Sequence, residues 1–152
     1  MLTWQTESTS LDATLALAAA IGSRLRGGEV VELVSDLGGG KTAFVRGLAQ
    51  GMGSADLVHS PSFTLSNQYQ SGSLTLYHFD FYRLNQAGIM RDELIEVLSD
   101  PGAVVAVEWA NIVDDVLPAQ HITVNIQSTG ETKRQFSFEY PSSFNYLFPT
   151  NT

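Results

Sequence analysis

Apolar positions along this chain recur at two periods. Leu11, Leu15, Ala18, Ile21 and Leu25 return every three or four residues, which predicts an amphipathic helix with those side chains inward. Ser10 is placed to cap its start and Gly27-Gly28 to end it. Val30, Val31, Leu33 and Val34 then suit a buried strand, and helical spacing resumes beyond Thr42 with Phe44, Val45 and Leu48. Residues 63–69 and 74–82 alternate around Gln70-Ser71-Gly72-Ser73, the pattern of a β-hairpin. In its second strand Thr75, Tyr77, Phe79 and Phe81 share one face, and Leu76, His78, Asp80 and Tyr82 the other. A short helix is expected over 91–100, with Leu94, Ile95 and Leu98 inward and Asp92, Glu93 and Glu96 in solvent, stopped by Pro101-Gly102. Residues 103–107 are wholly apolar and read as a buried parallel strand. Residues 121–127 and 134–140 alternate around the turn 128–132, predicting a second hairpin at a sheet edge.

Between the strand at 30–34 and the helix after it lie Gly38, Gly39, Gly40, Lys41 and Thr42. Strand, glycines, helix is the context of a phosphate-binding loop. Residues without Cβ let consecutive backbone N–H groups point at an anion, and the helix adds its positive N-terminal end. Lys41 would reach the β- and γ-phosphates as a point charge, and the Thr42 hydroxyl would ligate a Mg²⁺ held between them. The usual pattern, G-x-x-x-x-G-K-[ST], has glycine where this chain has Ser35, a costly substitution if that position needs a positive φ. A simple glycine-rich turn would explain the glycines but leave Lys41 and Thr42 without a role.

Two carboxylates are candidates to work with this loop. Glu108 follows the apolar strand 103–107, which places it at the carboxyl edge of a parallel sheet, where open α/β sheets hold their ligands. Asp80 lies on a largely apolar, aromatic strand, where an acid is costly to bury unless paired or near a metal; a salt bridge to Arg83 is the plainer reading. His78 reads as a hydrogen-bonded core histidine or as a functional one, and Trp109 as core or as a contact to nucleotide or partner. Ser60, Ser62 and Thr64, around Pro61, are either switch-loop hydroxyls or ordinary loop residues.

Composition narrows the picture further. At 152 residues and 43% hydrophobic content the chain can bury one substantial core, so one domain over 1–152 is expected. The tail from about 141, polar but carrying Phe144, Tyr146, Leu147 and Phe148, would dock on the body or a partner, or be loosely attached. Without cysteine there is neither a disulfide framework nor a thiol nucleophile, which fits a cytoplasmic setting. The apolar run 15–22 is too short to span a bilayer and follows Glu7 and Asp12 rather than positive charge. A net charge of −8, with eight scattered basic residues, offers no basic stripe for direct nucleic-acid binding.

The loop, Ser60-Pro61-Ser62-Phe63-Thr64-Leu65, His78-Phe79-Asp80-Phe81-Tyr82-Arg83 and Glu108-Trp109, in this order, resemble the TsaE family of bacterial ATPases over residues 14–118. The resemblance implies an α/β fold of the P-loop NTPase type, a three-layer sandwich with a mostly parallel central sheet and antiparallel hairpins. It implies an ATP hydrolase, weak alone and stimulated by partners, needed for threonylcarbamoyladenosine at position 37 of tRNA. Its cofactors would be ATP and Mg²⁺ and its partners the TsaD and TsaB proteins, with tRNA held only through them and no membrane involved. Carried over by position, it puts Lys41, Asp80 and Glu108 in the catalytic centre and Thr42 and Glu108 on Mg²⁺. Thr14, Asp36, Leu37, Gly38, Gly39, Gly40, Lys41, Thr42, Ala43 and Trp109 would bind nucleotide. The family usually has glycine at Ser35, alanine at Gly39, and threonine at Ala43 and Ser62; Ser62 keeps the hydroxyl. A small-molecule phosphotransferase and a nucleotide-dependent binding switch are the alternatives, the former lacking the arginine-rich lid such kinases use.

Overall fold

The computed structural model describes residues 1–35, 40–54, 66–81, 87–110 and 113–149. Strands β1 (Leu2–Ser8), β2 (Val30–Ser35), β3 (Ser66–Ser71), β4 (Leu74–Asp80), β5 (Ala103–Glu108), β6 (Ile122–Ser128) and β7 (Arg134–Tyr140) form one sheet in the order β1-β7-β6-β2-β5-β4-β3. The centre, β6-β2-β5-β4, is parallel, and antiparallel partners flank it on both sides. Helices α1 (Leu11–Gly22) and α2 (Lys41–Gly51) cover one face, and α3 (Ala87–Leu98) the other. This is the expected three-layer P-loop arrangement. Among the described residues no helix is long and apolar enough to cross a membrane.

The alternation of β4 splits as the sequence indicates: Leu76 packs with α1 and α2, while Phe79 and Phe81 pack with Met90 and Leu94 of α3. Central β5 is buried at every position, as a parallel strand covered on both faces must be. The two helices on the first face approach closely through glycine. A Cβ on Gly47 would stand 2.5 Å from that of Ala18, and one on Gly51 would stand 2.1 Å from the Ala19 carbonyl oxygen.

Several expectations are corrected. The hairpin β6/β7 is not at an edge, because β6 pairs in parallel with β2 and the unanticipated β1 adds to β7. α1 starts as expected, with the Ser10 hydroxyl accepting from the Ala13 N–H at 3.0 Å, but ends at Gly22; tighter turns carry the chain on to Leu25. Its inward face is Thr14, Ala18 and Ile21, and Leu11 is 58% exposed. α3 begins four residues early and turns Met90, Leu94 and Val97 inward, which leaves Ile95 46% exposed. Glu93 is not a purely solvated acid, since it accepts from the Ser66 hydroxyl at 2.8 Å.

The tail is fastened to the body. A 3-10 helix, Ser142–Leu147, carries Leu147 and Phe148 into the first core, where Phe148 stacks on Tyr140 at 4.2 Å between ring centres. The Tyr146 hydroxyl donates to Glu29 at 2.6 Å, and the Arg26 guanidinium lies 3.8 Å over the Tyr146 ring.

Candidate functional site

Parallel neighbours share a direction, so β2, β5 and β4 end at the same edge of the sheet. Their last residues are Ser35, Glu108 and Asp80. Leu33 pairs with Glu108 and Glu108 with Asp80, and the Phe81 N–H donates to the Glu108 carbonyl at 3.1 Å, extending the β4–β5 ladder past both acids. The two carboxylates thus share one face, the face that α1 and α2 cover.

α2 starts directly above that edge. Gly40 precedes it with φ at 103°, a left-handed backbone that L side chains rarely adopt, so glycine is required there by conformation. Among the described residues a Cβ there would meet nothing nearer than the Arg134 side chain, its Nε at 3.6 Å. The first turn of α2 carries no acidic residue to satisfy its N–H groups, which leaves that end suited to an anion. Thr42 is exposed and Ala43 half-buried in that turn.

Lys41 is 8% exposed and reaches back over the strand ends. Its Nζ donates to the Ser35 carbonyl at 3.5 Å, lies 3.4 Å from Glu108 Oε1, and sits 5.3 Å from the centre of the Trp109 ring. The other Glu108 oxygen, Oε2, is 2.5 Å from His78 Nε2. Burial opposes ionisation of Glu108, but His78 and Lys41 together outweigh it and hold the carboxyl below its ordinary range. Lys41, His78 and Glu108 form a buried cluster of ionisable side chains whose members come from three elements.

Around that cluster the other candidates divide. Asp80 is exposed at the end of β4 rather than buried, so the cost of burial that first singled it out does not apply; its position beside Glu108 does. Trp109 follows Glu108 with φ at 59°, the only positive φ of a non-glycine among the described residues, and the residue is 37% exposed. By the same measure Ser35 has no positive φ, so the serine imposes no backbone strain where the usual motif has glycine. Thr14 is 3% exposed in the first turn of α1, its hydroxyl 2.6 Å from that of Ser8 at the end of β1. Asp36, Leu37, Gly38 and Gly39 lie outside the described residues, as do Ser60, Ser62, Thr64 and Arg83.

Two residues gain a place that the sequence did not give them. His78 becomes a partner of Glu108, which only the register of β4 against β5 reveals. Arg134, read only as scattered charge, comes beside Gly40 because β7 begins where β1 and β6 end; its Nη1 donates to the carbonyls of Gly130, Glu131 and Lys133.

As to metal, no cluster of three or more His, Cys, Asp or Glu side chains occurs among the described residues. A hydroxyl and one carboxylate, Thr42 and Glu108, nevertheless fit Mg²⁺, which keeps several waters and takes its remaining ligands from phosphates. The donor set therefore suits a metal that arrives with a nucleotide rather than one caged by the protein.

The sequence profile described as threonylcarbamoyl adenosine biosynthesis protein TsaE matches residues 8–136. The tRNA threonylcarbamoyladenosine biosynthesis protein TsaE of Bacillus subtilis is 34% identical over 137 residues, covering 90% of this chain and 84% of that protein. Its namesake from Nostoc sp. is 37% identical over 130 residues, 82% of this chain and 78% of the relative, and that of Treponema pallidum 35% identical, at 86% and 96%. Among solved structures, the crystal structure of Bacillus subtilis YdiB aligns with a TM-score of 0.72 at 28% identity, over 96% of this chain and 91% of that one.

Proposed function

The chain belongs to the TsaE family of threonylcarbamoyl adenosine biosynthesis proteins, and from that premise we propose that it is a Mg²⁺-dependent ATPase serving formation of threonylcarbamoyladenosine at position 37 of tRNA. The observation that carries the reading is the seat of Lys41. A lysine only 8% exposed at a helix N-terminus, flanked by a carboxylate and an indole at the ends of parallel strands, is costly unless it serves an anion there.

In this reading Lys41 and the N–H groups opening α2 bind the phosphates, and Thr42 and Glu108 hold Mg²⁺. Bound there, the metal would neutralise charge developing on the β- and γ-phosphates. Asp80, exposed beside Glu108, would orient the attacking water, and Trp109, partly exposed, would contact the nucleotide. Thr14, buried in the first turn of α1, would contact the nucleotide from that helix.

The net charge of −8 favours a division of labour in which TsaD and TsaB hold the tRNA and this chain supplies nucleotide turnover to them in the cytoplasm. The test is phosphate release from Mg-ATP by the chain alone and mixed with a purified TsaB–TsaD pair. Slow release that the pair stimulates, and that Lys41→Ala abolishes, is expected. Unaltered hydrolysis in Lys41→Ala would overturn the assignment of the loop. Binding of ATP without release in either mixture would replace the ATPase by a nucleotide-dependent switch.

A further inference from the structure

Glu108 spends its two oxygens on two different partners, Lys41 on one and His78 on the other. In the reading above those partners have different fates. Lys41 must turn its charge to the phosphates, whereas Glu108 is the one hydrogen-bond partner of the His78 side chain among the described residues: His78 is 9% exposed, rises from the neighbouring strand, and lies opposite Ala106. The small Ala106 side chain leaves the imidazole room to lean along the strands to the next residue on that face of β5, which is Glu108.

We infer that His78 is a positioning residue for Glu108, holding Oε2 so that Oε1 stays aimed at the nucleotide's metal when Lys41 turns to the phosphates. A glutamate has three side-chain torsions to fix, and a carboxylate held at one oxygen loses most of that freedom before the metal arrives. Without the imidazole, Lys41 is the nearest charge left to Glu108. The carboxylate would then be drawn off the metal's place, and the Mg²⁺-dependent part of nucleotide binding would suffer. The inference rests on the nucleotide site proposed above and adds to it a residue that touches neither nucleotide nor metal.

The test is calorimetric titration with ADP, in EDTA and in Mg²⁺, of the full chain and of His78→Leu, which keeps an apolar filling of similar bulk. Wild type should bind ADP in both conditions and more tightly with Mg²⁺. His78→Leu should bind ADP in EDTA within about twofold of wild type but lose about tenfold or more of the Mg²⁺-dependent tightening, the usual effect of removing an outer partner of a metal ligand. His78→Gln, whose amide N–H can stand where Nε2 stands, should regain most of it. In a Glu108→Ala background His78→Leu should have no further effect. Should His78→Leu fail to fold by circular dichroism, His78→Phe carries the same expectation.

Full Mg²⁺-dependent tightening in His78→Leu, or equal weakening with and without Mg²⁺, would overturn the positioning role and leave the nucleotide site standing. Failure of the wild type to bind ADP in either condition would overturn both.

Discussion

Substituting Gly47 by alanine asks whether α1 and α2 approach as closely as their glycines imply. In a helix interior this change ordinarily stabilises by about 1 kcal/mol, because alanine loses less backbone entropy on folding. Here the new Cβ would stand 2.5 Å from the Cβ of Ala18 and 2.8 Å from the Leu15 carbonyl oxygen, each well inside contact distance. Overpacking of this kind costs about 1–3 kcal/mol, and with two contacts, one of them to backbone, the upper end applies. Setting about 3 against the propensity gain of about 1 leaves a net loss of roughly 2 kcal/mol. For a chain of this size that corresponds to a fall of about 4–8 °C in Tm.

Gly88 of α3 supplies the control, because among the described residues nothing lies within 4 Å of a Cβ built there. Gly88→Ala should therefore hold or raise Tm while Gly47→Ala lowers it, both read by thermal circular dichroism and checked by urea midpoints at unchanged m. A rise in Tm for Gly47→Ala would refute the close crossing. The crossing matters for function because α2 carries Gly40 and Lys41 at its start. The same variant should weaken ADP binding although residue 47 is nowhere near the phosphates.

Leu147→Ala should cost about 2–5 kcal/mol, since the side chain is fully buried in the first core; a loss below about 1 kcal/mol in urea titration would show that the tail is not seated there. At Trp109, whose φ is 59°, the glycine variant should be more stable than the alanine variant by about 1 kcal/mol, the reverse of the usual order. Both lose the ring, so the difference isolates the backbone, and an alanine variant equal to or above the glycine one would remove the strain.

The elements that carry the site were legible because each is local. An apolar run into three glycines, and a wholly apolar strand ending in Glu108-Trp109, declare themselves without their neighbours. β1 did not, because two of its three inward positions, Thr6 and Ser8 beside Trp4, are polar, and its partner β7 lies at the far end of the chain. For that reason the β6/β7 hairpin was expected at an edge. Leu11 and Ile95 fit a helical stripe in sequence, yet the stripe's exact bearing depends on where the sheet lies, and each falls just outside it. His78 is the instructive case. Its strand and its face were readable, but whether an imidazole on that face meets an acid depends on a register between β4 and β5 that no local pattern encodes.

The buried cluster also bears on why the rest of the molecule is built as it is. Lys41, His78 and Glu108 are 8%, 9% and 6% exposed, and removing charges from water costs several kcal/mol per ion, of which an ion pair at 3.4 Å returns only part. Apolar residues of similar volume would make at least as stable a fold at these positions, so stability does not account for the cluster. The favourable side lies elsewhere: in Phe44, Phe136, Phe138 and the tail's Phe148, packed in one core on one face, and in Phe79, Phe81 and Leu94 on the other. A site of this kind needs rigid supports, since a charge freed to move would find water and lose its aim. The supports here are the β2–β5–β4 ladder, which fixes the strand ends, and the glycine-tight contact of α1 with α2, which fixes the lysine. The tail's packing, distant from the cluster, offsets the cost of holding three ionisable groups where a nucleotide can use them.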